Sequence, residues 1–429
     1  MVDLSANFVG IKSPNPFWLA SAPPTDCKIN VERAFRAGWG GVVWKTLGEA
    51  GPPAVNVSGP RYGALYGPDR RVFALNSIET IADRDLAVNL QEIKQVKCAW
   101  PDRAVAVSLM VPSEEASLRE ILARVEETGC DGVELNFSCQ PGVFELGETP
   151  ETIETATRWC KAHTRMPVIV KLTPSVVDIR DPARAAQRGG ADAVSLINAI
   201  PSIMGVDLDA MTPVDPIDGK GAYGGMCGPA VKPIALAMVA KIARDPMTAG
   251  LPISGIGGVT IWRDAAEFIA LGAGNVQVCA AAMTYGFKII DELTSGLKNF
   301  MAAKGYQRID DFRGRAVENV TDWRFLNLSY VAKAEIDQSL CIKCGRCHIV
   351  CEDTARQAIF ATADGERKFV VNDARCIGCN LCALVCPVEN CIKLAHRAEG
   401  VDPRTGSSYA QRPRMWTAHR NNPATKAAE

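Results

Sequence analysis

Two stretches of the chain share one cysteine spacing: Cys341-Ile-Lys-Cys344-Gly-Arg-Cys347-His-Ile-Val-Cys351 and, after 24 intervening residues, Cys376-Ile-Gly-Cys379-Asn-Leu-Cys382-Ala-Leu-Val-Cys386-Pro387. Each reads C-x2-C-x2-C-x3-C, and the second ends in proline. Nine of the 16 cysteines lie between residues 341 and 391, and the other seven are scattered without a disulfide-like framework. The repeated spacing therefore decides what the C-terminal region of the chain does.

This spacing is typical of a ferredoxin domain that carries two [4Fe–4S] clusters. Three thiolates on one tight loop can hold three corners of a cubane, so the fourth thiolate must come from elsewhere. In such domains the fourth cysteine of each run ligates the other cluster, and the sequence therefore predicts two mixed ligand sets. They are Cys341, Cys344, Cys347 and Cys386 for cluster 1, and Cys376, Cys379, Cys382 and Cys351 for cluster 2.

Two other uses of cysteine fit the pattern less well. A zinc ribbon closes one tetrahedral site with two CxxC pairs, which leaves the third cysteine of each run unexplained. Disulfides are disfavoured because the first residues, Met1-Val-Asp-Leu-Ser, show no secretory signal. We expect Cys391, outside the pattern, to be a packed free thiol in a cytoplasmic protein.

Length and charge narrow the remaining functions. The chain has 429 residues, enough for a barrel-sized domain and a smaller one. Its formal net charge of −1 disfavours a role on nucleic acid or membrane surfaces that depends on a basic patch. The sequence has no apolar run of about 18 residues, so we expect no membrane span.

From residue 16 to about residue 300, short apolar runs alternate with longer stretches rich in Ala, Leu, Glu and Arg. Eight such runs over this length predict a TIM (β/α)8 barrel, with an open doubly wound sheet as the alternative. The predicted strands are Phe17–Ala20, Gly41–Trp44, Val105–Leu109, Gly132–Phe137, Val168–Leu172, Ala193–Ile197, Pro252–Gly255 and Val276–Cys279.

Polar residues at the carboxyl ends of these runs are the candidate site, because catalytic groups of such barrels lie there. Two of them are lysines, Lys45 and Lys171, and a buried lysine needs an anionic or hydrogen-bonding partner. Two lysines at one mouth predict a site for an electron-rich, partly anionic ligand. The turn Gly257-Gly258 after the seventh run is typical of a phosphate cradle, although a plain glycine turn is the alternative.

Composition changes divide the chain into four parts. We expect a barrel in residues 1–305, a connector in 306–333, a ferredoxin domain in 334–400 and an extended tail in 401–429. Asp364-Gly365, between the two cysteine runs, predicts a β-hairpin. A phosphate-bearing cofactor beside two iron–sulfur clusters predicts FMN, which accepts single electrons and delivers two as a hydride.

Several segments carry a resemblance to a known family. They are NPFWLASAP, GWGGVVWKT, ELNFSC, VIVKLTP, SLINA, GGMCGPAVKPIAL and PISGIGGV. They resemble the dihydropyrimidine dehydrogenase family, which shares its flavin barrel with dihydroorotate dehydrogenases. With its ferredoxin module and without FAD or NAD(P)H domains, the chain looks most like the family's bacterial PreA-type subunits.

The resemblance implies an NAD(P)-linked oxidoreductase that acts on CH–CH groups and reduces the C5–C6 double bond of uracil or thymine. It implies that Cys139 is the catalytic acid that protonates C5. The implied pyrimidine contacts are Asn76, Asn136, Phe137, Ser138 and Asn198. The implied FMN contacts are Ser21, Lys45, Thr46, Lys171, Gly228, Gly257, Gly258, Cys279 and Ala280.

The resemblance also implies a partner, an FAD- and NAD(P)H-binding flavoprotein subunit of the PreT-like kind, in a heterotetramer. Two departures concern the substrate: Gln140 follows Cys139 where the family usually has Pro, and Ala199 stands where it usually has Thr. Losing a hydrogen-bonding group can change substrate preference strongly. A related reductase for another heterocycle or enone is therefore an alternative, as is a pure electron-transfer protein.

Overall fold

The structure, a computed structural model, describes residues 2–48, 55–110, 114–137, 149–354, 356–362, 367–402 and 405–426. Its contacts divide the chain into two compact units, Met1–Val320 and Thr321–Glu429. The first unit contains the predicted barrel and the second contains the predicted ferredoxin domain. The residues of the predicted connector are divided between them. Among the described helices, none is both long and apolar enough to cross a bilayer.

The first unit contains a closed barrel of eight parallel strands. Its described strands are β1 (Ala6–Phe8), β2 (Ile11–Ser13), β3 (Phe17–Leu19), β4 (Gly41–Leu47), β5 (Tyr62–Tyr66), β6 (Val72–Ser77), β7 (Ala104–Leu109), β8 (Gly132–Asn136), β9 (Val168–Leu172), β10 (Ala193–Leu196), β11 (Ile200–Ser202), β12 (Val206–Asp207), β13 (Thr212–Pro213), β14 (Gly224–Cys227), β15 (Ile253–Ile256) and β16 (Ala273–Val278). The barrel order is β10-β15-β16-β3-β4-β7-β8-β9. All eight predicted strands are therefore confirmed as barrel strands, and the open sheet is excluded.

Helices cover the outside of the barrel, so its strands are buried on both faces and read as continuous apolar runs. Helix α4 shows how the sequence sets these helices. Thr149 accepts a hydrogen bond from the Thr152 amide at the helix start, and Pro150 occupies the first turn. The helices are α1 (Lys28–Ala37), α2 (Leu86–Ala99), α3 (Glu115–Glu126), α4 (Pro150–His163), α5 (Arg180–Arg188), α6 (Lys232–Ala243), α7 (Trp262–Ala270), α8 (Ala280–Tyr285) and α9 (Ile289–Lys304).

A four-stranded antiparallel sheet, in the order β11-β14-β6-β5, is built from segments that follow two barrel strands. Strands β5 and β6 come after β4, and strands β11 and β14 come after β10. Segments that follow barrel strands lie at the carboxyl end of a parallel barrel. This small sheet therefore belongs to the mouth where the candidate site was predicted.

The second unit is built from two antiparallel strand pairs and short helices. Its described elements are β17 (Val331–Ile336), α10 (Arg346–Asp353), β18 (Ile359–Ala361), β19 (Phe369–Val371), α11 (Leu381–Leu384), β20 (Ile392–Arg397) and α12 (Pro423–Lys426). Strand β17 pairs with β20, and β18 pairs with β19. The pairing confirms the predicted hairpin, while its Asp364-Gly365 turn lies outside the described residues.

The C-terminal residues, predicted as an extended tail, fold against their own unit as far as Asn422. Tyr409 is buried, and the Arg412 guanidinium pairs with the buried Asp402 carboxylate. The Trp416 ring lies 5.7 Å from the ring of Trp323. Composition indicated only a polar segment, because it does not show which residues become partners in the fold.

Candidate active site

A chain of hydrogen bonds joins polar side chains at the carboxyl ends of neighbouring barrel strands. The Ser21 hydroxyl lies 3.0 Å from the Thr46 hydroxyl, which lies 2.9 Å from that of Ser108. The Asn136 amide donates to the Thr46 hydroxyl at 3.2 Å, and the Asn198 amide donates to the Asn136 carbonyl oxygen at 3.2 Å. The structure therefore brings Ser21, Thr46, Asn136 and Asn198 together at one mouth, with donors and acceptors held in fixed directions.

Lys45 lies near the carboxyl end of β4 and forms a buried ion pair with Glu79. The two side chains are 5% and 7% exposed. The same carboxylate accepts a hydrogen bond from the Tyr62 hydroxyl and lies 3.7 Å from the Arg61 guanidinium. The Lys45 ammonium is therefore fixed in place, and its charge is balanced before any ligand binds.

Lys171, on β9, has its carboxylate partner inside the barrel. Its Nζ lies 3.6 Å from Oε1 of Glu134, a side chain with no exposed surface. The other carboxylate oxygen, Oε2, accepts hydrogen bonds from Ser195 at 2.8 Å and Gln277 at 3.2 Å. Glu134 Oε1 has no hydrogen bond of its own among the described residues, so the Lys171 ammonium is its main electrostatic partner.

The sequence identified both lysines but missed both carboxylates. Glu134 could have been identified from the sequence, because it is the one charged residue in the apolar strand Gly132–Asn136. Glu79 could not have been identified, because it follows β6 in a segment outside the barrel strands and lies near Lys45 only in the folded structure. At the site predicted to bind an anionic ligand, each lysine therefore has a carboxylate partner, Glu79 for Lys45 and Glu134 for Lys171.

Three predicted cofactor residues, Gly228, Gly257 and Gly258, form close-packed turns with positive φ of 91°, 125° and 76°. A Cβ added at Gly258 would lie 2.8 Å from the Gly228 carbonyl oxygen, and one at Gly257 would lie 2.9 Å from the Ala235 side chain. Only glycine fits such positions. The turns after β14 and β15 therefore meet and expose main chain, which is what a phosphate cradle requires.

Cys279 and Ala280, the last predicted cofactor contacts, lie where β16 passes into α8. The Cys279 thiol is paired with that of Cys227, at the end of β14. Their hydrogen bond lowers the pKa of Cys279, helped by nearby Lys171, and raises the pKa of Cys227, which burial raises further. The glycine cradle, Cys279 and Lys171 thus come from adjoining parts of the mouth, and together they fit a phosphate-bearing flavin.

The predicted pyrimidine contacts are only partly brought together. Asn76 lies on β6 of the small sheet, where its side-chain oxygen accepts a hydrogen bond from Ser202 at 2.9 Å and its side chain lines a cavity of about 280 Å³. The Phe137 side chain is buried in the hydrophobic core of the barrel unit. Ser138 and the predicted acid Cys139 lie outside the described residues, as does Gln140.

In the second unit, the cysteines surround two separate cavities in the predicted mixed sets. One cavity is lined by Cys341, Cys344, Cys347 and Cys386. The other is lined by Cys376, Cys379, Cys382 and Cys351. Four thiols around an internal space are the donor set of a [4Fe–4S] cluster. Among the described residues, no three His, Cys, Asp or Glu side chains are grouped as for a single metal ion.

The core of this unit is made largely of the predicted ligands. Cys347, Cys376 and Cys382 are buried, and burial raises the pKa of Cys382 to about 11. Cluster binding would therefore release protons from these thiols. Cys391 is also buried and lines the cavity of cluster 1, and burial together with neighbouring Cys386 raises its pKa to about 12. It is packed as the sequence predicted.

Comparisons with known proteins agree with both units. Residues 3–301 match the family model "Dihydroorotate dehydrogenase", and residues 334–394 match "4Fe-4S dicluster domain". The first family implies FMN, and the second implies two [4Fe–4S] clusters. A dihydroorotate dehydrogenase structure from Eimeria tenella shares the fold, with a TM-score of 0.61 and 21% identity over 73% of this chain and 91% of that one.

Curated relatives match between 73% and 91% of the chain. The NAD-dependent dihydropyrimidine dehydrogenase subunit PreA of Escherichia coli is 37% identical over 91% of this chain and 95% of its own length. The chloroplastic dihydropyrimidine dehydrogenase (NADP(+)) of Arabidopsis thaliana is 36% identical over 74% of this chain and 78% of its own. The catalytic subunit of dihydroorotate dehydrogenase B (NAD(+)) from Pyrococcus abyssi is 35% identical over 73% and 99%.

Proposed function

Because the chain belongs to the dihydropyrimidine and dihydroorotate dehydrogenase family, as an oxidoreductase of PreA type, we propose that it reduces the C5–C6 double bond of uracil or thymine. The observation that carries this proposal is the pairing of that family's barrel with a dicluster domain in one chain. The dihydroorotate dehydrogenase B subunit from Pyrococcus abyssi matches 73% of this chain, whereas the PreA subunit matches 91%.

The barrel mouth supplies the flavin site. When bound, FMN delivers a hydride and takes single electrons from the clusters. In the proposal, the main chain at Gly228, Gly257 and Gly258 holds its phosphate, and Lys45 and Lys171 hold its polar ring edge. Ser21, Thr46, Cys279 and Ala280 complete the contacts. Because each lysine already has a carboxylate partner, the site can bind the neutral oxidised ring without leaving a buried charge unpaired.

The amides at the mouth supply the pyrimidine site. Asn136 and Asn198 hydrogen-bond each other, which fixes the orientation of both side-chain amides at the mouth. An amide offers both a donor and an acceptor, which suits the alternating N–H and C=O edge of a uracil ring. Asn76, Phe137 and Ser138 complete the proposed pocket, and the Cys139 thiol gives its proton to C5 as general acid.

The second unit supplies electrons. In the proposal, cluster 1 is held by Cys341, Cys344, Cys347 and Cys386, and cluster 2 by Cys376, Cys379, Cys382 and Cys351. Their electrons come from NAD(P)H through FAD on a PreT-like flavoprotein subunit, in a heterotetramer located in the cytoplasm. Isolation of the native protein and identification of any co-purifying flavoprotein test this partner.

The test of the reaction is a comparison of two cysteine variants under turnover with uracil and an artificial electron donor. Cys139→Ala should keep its flavin and clusters but lose nearly all formation of dihydrouracil, measured by mass spectrometry. Cys98→Ala, which removes an exposed thiol, should behave as the unsubstituted protein. Normal turnover of Cys139→Ala would overturn the assigned acid.

Ala199 favours a second candidate, a reductase for another heterocycle. The Ala199 Cβ packs against Gly225, so closely that a Cβ added at Gly225 would lie 2.6 Å from it. The Ala199 side chain offers no hydrogen bond to a ligand. A turnover panel of uracil, thymine, orotate and hydantoins separates the two candidates. Preference for a compound other than uracil or thymine would replace the first candidate with the second.

A further inference from the structure

Lys333 is a buried lysine in the second unit, far from the barrel mouth in sequence. It lies on β17, is 4% exposed, and its Nζ donates a hydrogen bond to the main-chain carbonyl of Cys376. No carboxylate lies within ion-pair distance of it in the part of the chain that the structure describes. A buried ammonium without a counter-ion is costly, so its position needs an explanation.

The loop that carries Cys376 is held directly against β17. Gly378, with φ of 68°, packs so closely that an added Cβ would lie 2.3 Å from the Ala332 carbonyl oxygen. Ala334, the next residue of β17, lines the cavity surrounded by the proposed ligands of cluster 2. The Lys333 side chain starts on the other face of the strand and reaches this ligand loop through its hydrogen bond to the Cys376 carbonyl. The Lys333 ammonium is therefore fixed beside the main chain of that ligand loop.

The proposed cluster 2 is the missing counter-ion. A [4Fe–4S] cluster with four thiolates carries net negative charge, and it gains one further negative charge on reduction. Net charge around a cluster is one of the factors that set its reduction potential. A nearby cation therefore stabilises the reduced state more than the oxidised state.

A second cationic residue, Arg356, lies at the same cavity. Arg356 is half-buried and lines the cavity of cluster 2 together with Cys351 and Cys376. Among the described residues that line the cavity of cluster 1, none is a lysine or arginine. Lys343, within that ligand loop, is half-buried, and the nearby Arg346 and Arg367 are exposed, so water and salt screen both arginines.

We propose that Lys333 tunes cluster 2 electrostatically, as the buried cation that raises its reduction potential. This inference rests on the proposed ligand sets. It assigns Lys333 a role in electron delivery through the cluster, without contact with the substrate or the flavin.

The experiment is a redox titration followed by electron paramagnetic resonance on the full chain with its clusters. Lys333→Met removes the charge, and Lys333→Gln removes it while keeping a hydrogen-bond donor. Both should lower the potential of one cluster by at least a tenfold change in its reduction equilibrium, about 59 mV for one electron. Lys333→Arg should keep the potential of the unsubstituted protein.

Lys393→Met is the matched control, because Lys393 lies on the paired strand β20 and is exposed. It should leave both potentials unchanged. A normal potential in Lys333→Gln would show that the charge of Lys333 does not set the reduction potential of the cluster and that a hydrogen-bond donor is enough. This result would overturn the inference. So would an equal shift in Lys393→Met. If Lys333→Met loses its cluster, the other two variants test the inference. A lowered potential in Lys333→Gln with a normal potential in Lys333→Arg supports it, and a normal potential in Lys333→Gln overturns it.

Iron and sulfide content of the unsubstituted protein separates this inference from the proposed function. If the protein does not carry two [4Fe–4S] clusters, the proposed electron path fails and the inference fails with it. If it carries two clusters and the Lys333 variants titrate normally, only the inference is wrong.

Discussion

The two units of this chain bury their lysines in opposite electrostatic settings. In the barrel, Lys45 is paired with Glu79 and Lys171 lies beside Glu134. In the second unit, the described partner of Lys333 is a carbonyl group. The barrel site is therefore charge-balanced in the protein alone, whereas the second unit depends on its clusters to balance a buried cation.

The same contrast holds for how each unit is packed. The barrel core is built from aliphatic and aromatic side chains contributed by strands and helices. The core of the second unit contains Cys347, Cys376, Cys382 and Cys391 among a few apolar residues. When ligands form the core, the free energy of cluster binding becomes free energy of folding. We therefore expect the barrel to fold without its cofactor and the second unit to require its clusters.

The largest effect should come from removing a cluster ligand. Cys382→Ser should lose about half of the iron and unfold much of the second unit, because Cys382 is both ligand and core. Cys391→Ser, which changes a buried cysteine outside the ligand pattern, should keep both clusters. Iron content and limited proteolysis measure the two results. Full iron content in Cys382→Ser would remove that residue from the ligand set.

Breaking a balanced pair in the barrel should have the next largest effect. Glu134→Gln leaves the Lys171 ammonium buried without its carboxylate, which typically costs about 3–5 kcal/mol. The double variant Glu134→Gln/Lys171→Met should recover much of that loss, since no unpaired charge remains. Urea unfolding of the barrel unit measures both. Equal stability of the single and double variants would mean that the pair contributes little.

Glu79→Gln should destabilise the barrel less, by about 1–3 kcal/mol, because the Glu79 side chain is 7% exposed whereas that of Glu134 is fully buried. Its main effect should be on flavin affinity, since Lys45 becomes an unbalanced cation at the proposed ring edge. Fluorescence titration with FMN checks this prediction. Tyr62→Phe is the control: it removes the hydrogen bond but keeps the ion pair, and should leave flavin affinity near normal.

The last effect, which is absent at neutral pH, concerns a buried barrel thiol whose role is to pack in the core. Burial raises the pKa of Cys160 to about 12, above the value of about 8.5 in an unfolded chain. Stability from this group is complete below pH 8.5 and is lost as the pH rises toward 12. At pH 10 the loss should be about 2 kcal/mol. Cys160→Val should lack that loss, measured by urea unfolding at pH 8 and pH 10; parallel pH dependence of both proteins would contradict it.

Features that depend on local spacing could be predicted from the sequence. Eight buried strands appear as short apolar runs, and the cysteine spacing marks loops that the structure arranges around two cavities. The turn at Gly257-Gly258 was visible because glycine is required where φ is positive. Each of these signals lies within a few residues of the feature it predicts.

Features that depend on long-range pairing could not be predicted. Glu79 reaches Lys45 across 34 residues, and Lys333 reaches Cys376 across 43. The Asn76 side chain accepts a hydrogen bond from Ser202 on the small sheet, 126 residues away in the sequence. Nothing in the local sequence around these residues encodes the partner, because the partner is set by topology.

The most direct test of the central claim is an anaerobic reoxidation experiment. The protein is reduced under anaerobic conditions until flavin and clusters hold electrons, and uracil is then added while flavin absorbance is followed. The proposed function predicts rapid reoxidation with one dihydrouracil formed for every two electrons lost. Reduced protein that ferricyanide reoxidises, but that no pyrimidine or other heterocycle reoxidises, would contradict the claim and leave a pure electron-transfer protein.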